Sequence, residues 1–162
     1  MSSFSRRFIL LAPLAFAACG FTPAYGPGGP ARGLQGTIRA ADPADKNAFD
    51  LVARLETRLG RPHVVRFDLA YTIKTEAVGV GFTTDNAITR YNLLGSIDWT
   101  LTDRTTNTRV TGGTVNGFTS WTGTGTTVAG LVADEDAALR LMQLLADQIA
   151  TQLLATSGSW NT

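Results

Sequence analysis

Cysteine and histidine occur once each in this chain, as Cys19 and His63, and their scarcity removes most of the reactive chemistry available to a protein of this size. One thiol cannot close a disulfide within the chain, so the fold has to stand on its packed core. One thiol and one imidazole cannot fill a tetrahedral metal site. Charge of one sign is not in excess either: 14 Lys and Arg face 13 Asp and Glu, which gives no general argument for a nucleic-acid partner. Long apolar runs are missing apart from Phe8 to Ala18, and that stretch is shorter than the roughly 20 residues a membrane-spanning helix needs.

The N-terminus has the layout of an export signal. Basic Arg6-Arg7 precede the apolar run, Pro13 alone interrupts it, and the small residues Ala17-Ala18 lead into Cys19-Gly20. This junction resembles the lipobox at which bacterial lipoproteins are cleaved and diacylated, with Phe16 where Leu is usual. Residues 1–18 therefore read as a cleaved signal peptide and Cys19 as the lipid attachment site. The plainer alternative is an ordinary signal with an incidental cysteine. Ser5-Arg6-Arg7-Phe8-Ile9-Leu10 partly resembles a twin-arginine motif, so Sec and twin-arginine export both stay open.

Residues 19–32, with Gly26-Pro27-Gly28-Gly29-Pro30 at their centre, cannot hold a helix or a sheet ladder and read as a lipidated, flexible linker. No Gly-Lys-Ser/Thr follows, so a phosphate loop is the weaker reading. Residues 33–156 then carry the periodicities of one domain. Leu34 to Arg39 alternates as a short strand. The next segment is punctuated as a helix, with Asp42 as N-cap, Pro43 at the first helical position, Asp45 near the positive end of the dipole, and Gly60 and Pro62 as the stop. Ala48, Leu51, Val52, Leu55 and Leu59 form its apolar stripe.

From Val64 to Thr75 the period is two, with Val65, Phe67, Leu69, Tyr71 and Ile73 on one side. After a loop holding Gly79, Gly81 and Asp85-Asn86, a second strand places Tyr91, Leu93, Ile97, Trp99 and Leu101 together. A third runs from Arg109 to Trp121, and Gly112-Gly113 within it reads as a bulge. Asp134-Glu135-Asp136 reads as the acidic entry to a final helix from Ala137 to Ala155, and residues 157–162 as a disordered tail. The expected fold is α+β: two helices packed on one face of a small, mainly antiparallel, mixed four-stranded sheet, in the order β-α-β-β-β-α.

Cys19-Gly20-Phe21-Thr22-Pro23-Ala24-Tyr25-Gly26, this element order and the acidic start of an Ala- and Leu-rich last helix together resemble the LptE family of lipopolysaccharide-assembly lipoproteins. The resemblance implies a non-catalytic outer-membrane lipoprotein, lipid-anchored and facing the periplasm. It implies an LptD-type β-barrel as partner, plugged and assembled with the chain's help during lipopolysaccharide transport. Gly20 is not the aspartate that retains lipoproteins in the inner membrane of enteric bacteria. An unrelated periplasm-facing structural or binding lipoprotein is the alternative.

Arg66 and Lys74 fall on the polar face of the Val64 to Thr75 strand and Arg90 on the corresponding face of the next, where guanidinium forks suit lipid phosphates. Solvated surface charges balanced by Asp68 and Asp98 remain the competing reading, and Arg104 and Arg109 share it. No catalytic residue, metal or cofactor is expected. His63 would need a nucleophile and an acid brought to it; Asp134-Glu135-Asp136 lacks the spread of a calcium loop. Trp99 falls with the core positions, whereas Trp121 and Trp160 stay undecided between packing and sugar stacking.

Overall fold

The computed structural model describes residues 23–123 and 126–161. The segment expected as a signal peptide, Cys19 and the start of the expected linker lie outside them. The described chain is the expected α+β arrangement. Its elements are β1 (Ile38–Ala40), α1 (Lys46–Leu59), β2 (Phe67–Phe82), β3 (Ile88–Asp103), β4 (Thr108–Thr122), α2 (Thr127–Thr156) and a single 3-10 turn at Ser157–Ser159. The sheet order is β1-β2-β3-β4, with β1 parallel to β2 and the other pairs antiparallel.

Period two places Phe67 and Leu69 of β2, Leu93, Ile97, Trp99 and Leu101 of β3, and Val115 of β4 in the core. Both helices cover that face. Leu51, Leu55 and Leu59 of α1 and Leu141, Leu145, Ile149 and Leu153 of α2 close it with almost no exposed surface. The approach of α2 is set by a glycine pair, Gly95 on β3 opposite Gly117 on β4. A Cβ on Gly95 would stand 2.8 Å from Leu141 Cδ2, and one on Gly117 2.6 Å from Leu144 Cδ2. Leucines therefore occupy the volume that strand side chains would otherwise fill.

The helix starts differ from the expectation. The N-cap of α1 is Asp45, whose Oδ1 accepts from Ala48 N at 2.8 Å. Asp42 is instead engaged by Arg39 at 3.2 Å, and Pro43 lies before the helix. At the other end Gly60 adopts φ 85° and caps as expected. Helix α2 begins ten residues before Ala137, with Thr126 Oγ1 accepting from Ala129 N at 3.3 Å. Asp134-Glu135-Asp136 thus lies inside the helix, where Asp136 pairs with Arg140 at 2.8 Å, and does not stabilise a helix terminus.

The strands shift as well. β1 is confined to Ile38–Ala40 because Gly36, at φ 72°, turns the chain; Leu34 reaches the core from a turn. β2 runs on through Gly79 and Gly81 to Phe82, because Ile88 packs where a Cβ of Gly79 would stand. The irregularity in β4 falls at Val110, which is additional between Leu101↔Thr111 and Thr102↔Arg109. Gly112-Gly113 stays in register, and the space at Gly113 is shared by the Trp99 indole and the end of Gln152.

Two segments expected to be loose are tied down. Residues 23–34 form successive turns closed by bonds such as Ala31 N to Ala24 O at 2.9 Å, and Ala31 is buried. At the other terminus, Trp160 meets Phe67 edge to face at 5.2 Å, while Asn161 Nδ2 donates to the carbonyls of Pro30 and Arg32. The segment expected as a disordered tail is therefore a clasp over the chain's entry into the domain.

The two helices are joined by a fork. Arg54 donates to both carboxylate oxygens of Asp147 at 2.9 and 2.7 Å, and Arg58 adds a contact at 3.4 Å. The Arg54 hydrogen bond is the largest cause holding the Asp147 carboxyl below its ordinary value; burial opposes it, and the charges of Arg54 and then Arg58 lower it further. Both side chains of the fork are about one-third exposed, 35% and 37%, so solvent screens much of their attraction. A depressed folded pKa contributes stability that is present above the unfolded value, about 3.9, and is lost as pH falls through the folded one. Asp147→Asn should therefore unfold at lower urea than the parent at pH 7, and the gap should close below about pH 4. An equal gap at pH 7 and pH 3 would show that the fork is not the cause.

Candidate functional site

The face of the sheet opposite the helices is built from the even-numbered positions of β2, β3 and β4. It carries a ladder of short polar contacts. Asp98 accepts from Thr114 Oγ1 at 2.6 Å and from Lys74 Nζ at 3.5 Å, and these contacts, Thr114 first, lower its pKa. Ser120 donates to Asn92 Oδ1 at 2.7 Å. Around the short side chain of Ser96 lies a shallow depression of about 390 Å³, edged by Lys74, Glu76, Leu94 and Asn116.

The three basic candidates do not converge: Lys74 and Arg90 lie on this side, whereas Arg66 turns its guanidinium over the Phe67 ring at the clasped end. Arg66 sits just before β2, with its guanidinium 5.0 Å from the Phe67 ring centroid and Nη1 donating to Asn161 Oδ1 at 3.5 Å. Lys74 lies midway along β2 and faces Asp98. Arg90 is exposed near the far end of β3, opposite Gly81. At roughly 3.3 Å per residue, Lys74 is separated by about 26 Å along the strand from the Arg66 level on one side and, through its partner Ser96, by about 20 Å from the Arg90 level on the other. One phosphate cannot meet more than one of them. Arg104 pairs with Asp68 at 3.1 Å, and Arg109 folds over Gly112.

The remaining candidates have structural surroundings. His63 Nδ1 lies 3.4 Å from Arg61 O, with the ring where a Cβ of Gly36 would stand. Among the described residues, no group of three or more His, Cys, Asp or Glu is placed to hold a metal ion. Trp121 stacks on Tyr91 at 5.0 Å and 15°, and Trp160 closes the clasp on Phe67. Trp99 is buried, and its Nε1 is, among the described residues, the buried side-chain polar atom without a hydrogen-bond partner.

A feature missed in the sequence is an apolar tip. Val80, Phe82 and Ile88 at the β2–β3 hairpin are exposed, and so are Val128, Leu131 and Val132 at the start of α2, Val128 to 72%. No run of charge or period marked it; its signal was the excess of apolar residues beside Gly79, Gly81 and Gly130. The chain enters at the opposite end, where Pro30 lies against the terminal clasp. The 16 residues of β2 put roughly 50 Å between those ends.

Solved structures share this arrangement. A protein of Caulobacter crescentus CB15 assigned as a lipoprotein matches with a TM-score of 0.67 at 20% identity, over 82% of this chain and 98% of its own. Rare lipoprotein B of Shewanella oneidensis matches at 0.60 and 11% identity, over 78% and 98% of the two chains. A minor lipoprotein of Acinetobacter baumannii matches at 0.53 and 15%, over 74% and 89%. At such identities the likeness is one of fold. No curated protein matches in sequence. The lipopolysaccharide-assembly family profile LptE, however, matches residues 36–153, from the turn before β1 to the last turns of α2, and the chain belongs to that family.

Proposed function

We propose that this protein is an outer-membrane lipoprotein, anchored by a lipid on Cys19 and facing the periplasm, that complexes with an LptD-type β-barrel. In this reading it plugs the barrel, helps assemble it and takes part without catalysis in lipopolysaccharide transport. The observation that carries the reading is the family match over residues 36–153. The division of the domain supports it physically: the chain enters at one end, and exposed apolar side chains gather at the other. A domain tethered beside the bilayer and roughly 50 Å long presents its far end to a partner, and isolated apolar clusters of this kind mark interaction surfaces.

Purification of the full chain from detergent-solubilised outer membranes should bring a large barrel protein with it in fixed stoichiometry. Elution of the chain alone under conditions that keep its fold would overturn the barrel reading.

Acylation at Cys19 makes a separate prediction. Cys19→Ala should shift the chain out of the membrane fraction in cells lacking the barrel partner, and the diacylglycerol mass should disappear from its N-terminal peptide. A lipid mass that persists on the variant places the anchor elsewhere.

Arg66, Lys74 and Arg90 contribute separate Coulomb contacts to lipopolysaccharide phosphates. Reversing all three to Glu should weaken binding of purified lipopolysaccharide roughly tenfold at low salt, and the difference should fade as the Debye length contracts to about 3 Å at 1 M salt. Binding unchanged at low salt would leave the three as solvated surface charges.

A further inference from the structure

Positive charge collects at the clasped end of the domain. Asn161 reaches the Arg32 carbonyl and the Arg66 guanidinium, and Arg104 N donates to Arg66 O at 3.0 Å, so three arginines surround one point. Arg58 and Arg61 lie where α1 runs out at the same end, and Arg109 starts β4 opposite Thr102. All six are exposed. The carboxylates among them are Glu56 near Arg61, Asp68 on Arg104, and Asp103, which accepts from Thr105 N and Thr106 N; Asp147 is offset by Arg54. Six arginines against three carboxylates leave a surplus, and a terminal carboxylate after Asn161 does not remove it. At the tip the balance is reversed, with Asp85, Asp134, Glu135 and Asp136 against Arg90 and Arg140. A chain of near-zero net charge is thus polarised along its length.

The chain enters at the positive end with little slack. Pro23 O accepts from Gly26 N at 3.0 Å, Ala24 O accepts from Ala31 N at 2.9 Å, and Ala31 is buried. Cys19 stands four residues before Pro23, a distance that extends to about 14 Å at most. A lipid on Cys19 therefore holds the six arginines within about two Debye lengths of the headgroups at physiological salt. Beside them Tyr25 and Val64 are exposed, 41% and 61%, and offer the apolar and amphipathic contacts suited to a membrane interface.

We propose that this basic end is a docking surface for an anionic lipid bilayer, engaged by the chain before it meets a barrel partner. The proposal rests on acylation of Cys19 and goes beyond it: the anchor limits distance, and the arginines decide which end of the domain faces the lipid. The occupant follows from reach and charge, since the bilayer is the anionic surface that the anchor keeps beside this end. The apolar tip, negatively charged around its rim, stays turned from the headgroups and free for a protein partner.

The test inserts the lipidated full chain, freed of other proteins, into preformed vesicles of phosphatidylcholine alone or with a third of the lipid replaced by phosphatidylglycerol. Phenylglyoxal modification of each arginine is followed by mass spectrometry. An arginine at an anionic surface strengthens association roughly fivefold, so Arg32, Arg61 and Arg104 should react several-fold more slowly in the anionic vesicles, while Arg90 and Arg140 at the far end react equally in both. The protection should vanish at 1 M salt, where the Debye length is about 3 Å. Arg32→Glu with Arg61→Glu inverts the charge of this end and should abolish the protection of Arg104; circular dichroism checks the fold, and should the pair misfold, the salt series on the parent decides alone. Flotation with phosphatidylcholine vesicles reports the lipid on Cys19 independently of the arginines. A chain that floats there yet reacts equally in both vesicles overturns the docking surface and leaves the anchor standing. One that floats only with anionic vesicles, its arginines protected, loses the anchor and supports the surface. Equal protection by inorganic phosphate added to phosphatidylcholine vesicles means capture of any phosphate and overturns the bilayer as occupant.

Discussion

The close approach of α2 to the sheet is the contact on which the rest of the molecule depends. Gly95 and Gly117 face each other on β3 and β4, and Leu141, Leu144 and Leu145 press into the space they leave. A helix held that close can bury a double row of leucines and alanines against a small sheet, which a chain with one cysteine and no disulfide needs. It also fixes the axial position of α2. With Ala137 O bonded to Thr119 Oγ1, the ten residues before Ala137 overhang the end of the strands, and they form part of the apolar tip. The same seating carries Asp147 to Arg54 on one side and Gln148 to Asn116 on the other.

Much of this was legible where one face is buried and the other wet. Phe67, Leu69, Leu93, Ile97, Trp99 and Leu101 were assigned to the core by alternation alone, and all are buried. Leu141, Leu145 and Ile149 followed from helical spacing in the same way. Legibility ended where that contrast ends. The first turns of α2 have exposed apolar residues and a glycine, so no amphipathic stripe announces them. Leu34 is buried from a turn, so its apparent alternation with Ile38 misplaced β1. Trp160 and Asn161 form the clasp through contacts to Phe67, Pro30 and Arg32, partners far away in the chain that no local pattern reveals.

The basic residues show the same boundary from another side. Strand parity correctly assigned Lys74 and Arg90 to the helix-free side, because it needs only even and odd positions. Their separation along the sheet depends on register, and register depends on where each hairpin turns. β2 continues past Thr75, its expected end, to Phe82 because Ile88 packs over Gly79, and this pairing sets how far along the sheet Arg90 lies from Lys74. Cys19 is the opposite case. Its reading rests on a short local motif and draws nothing from the fold.

The domain's surfaces differ by region. The clasped end anchors the entering chain, the tip is apolar, the helix-free face is polar with charges spread along it, and the β4 edge is capped by side chains from the helix that closes the core. An uncharged strand edge left open would pair indiscriminately with other strands. Covering that edge with Arg140 and Gln148 keeps the backbone acceptors satisfied within the monomer while leaving them recoverable, because neither side chain is buried. A proline or a buried lid would close the edge for good. Flexible side chains close it by an amount comparable to the weak contacts that assembly can overcome.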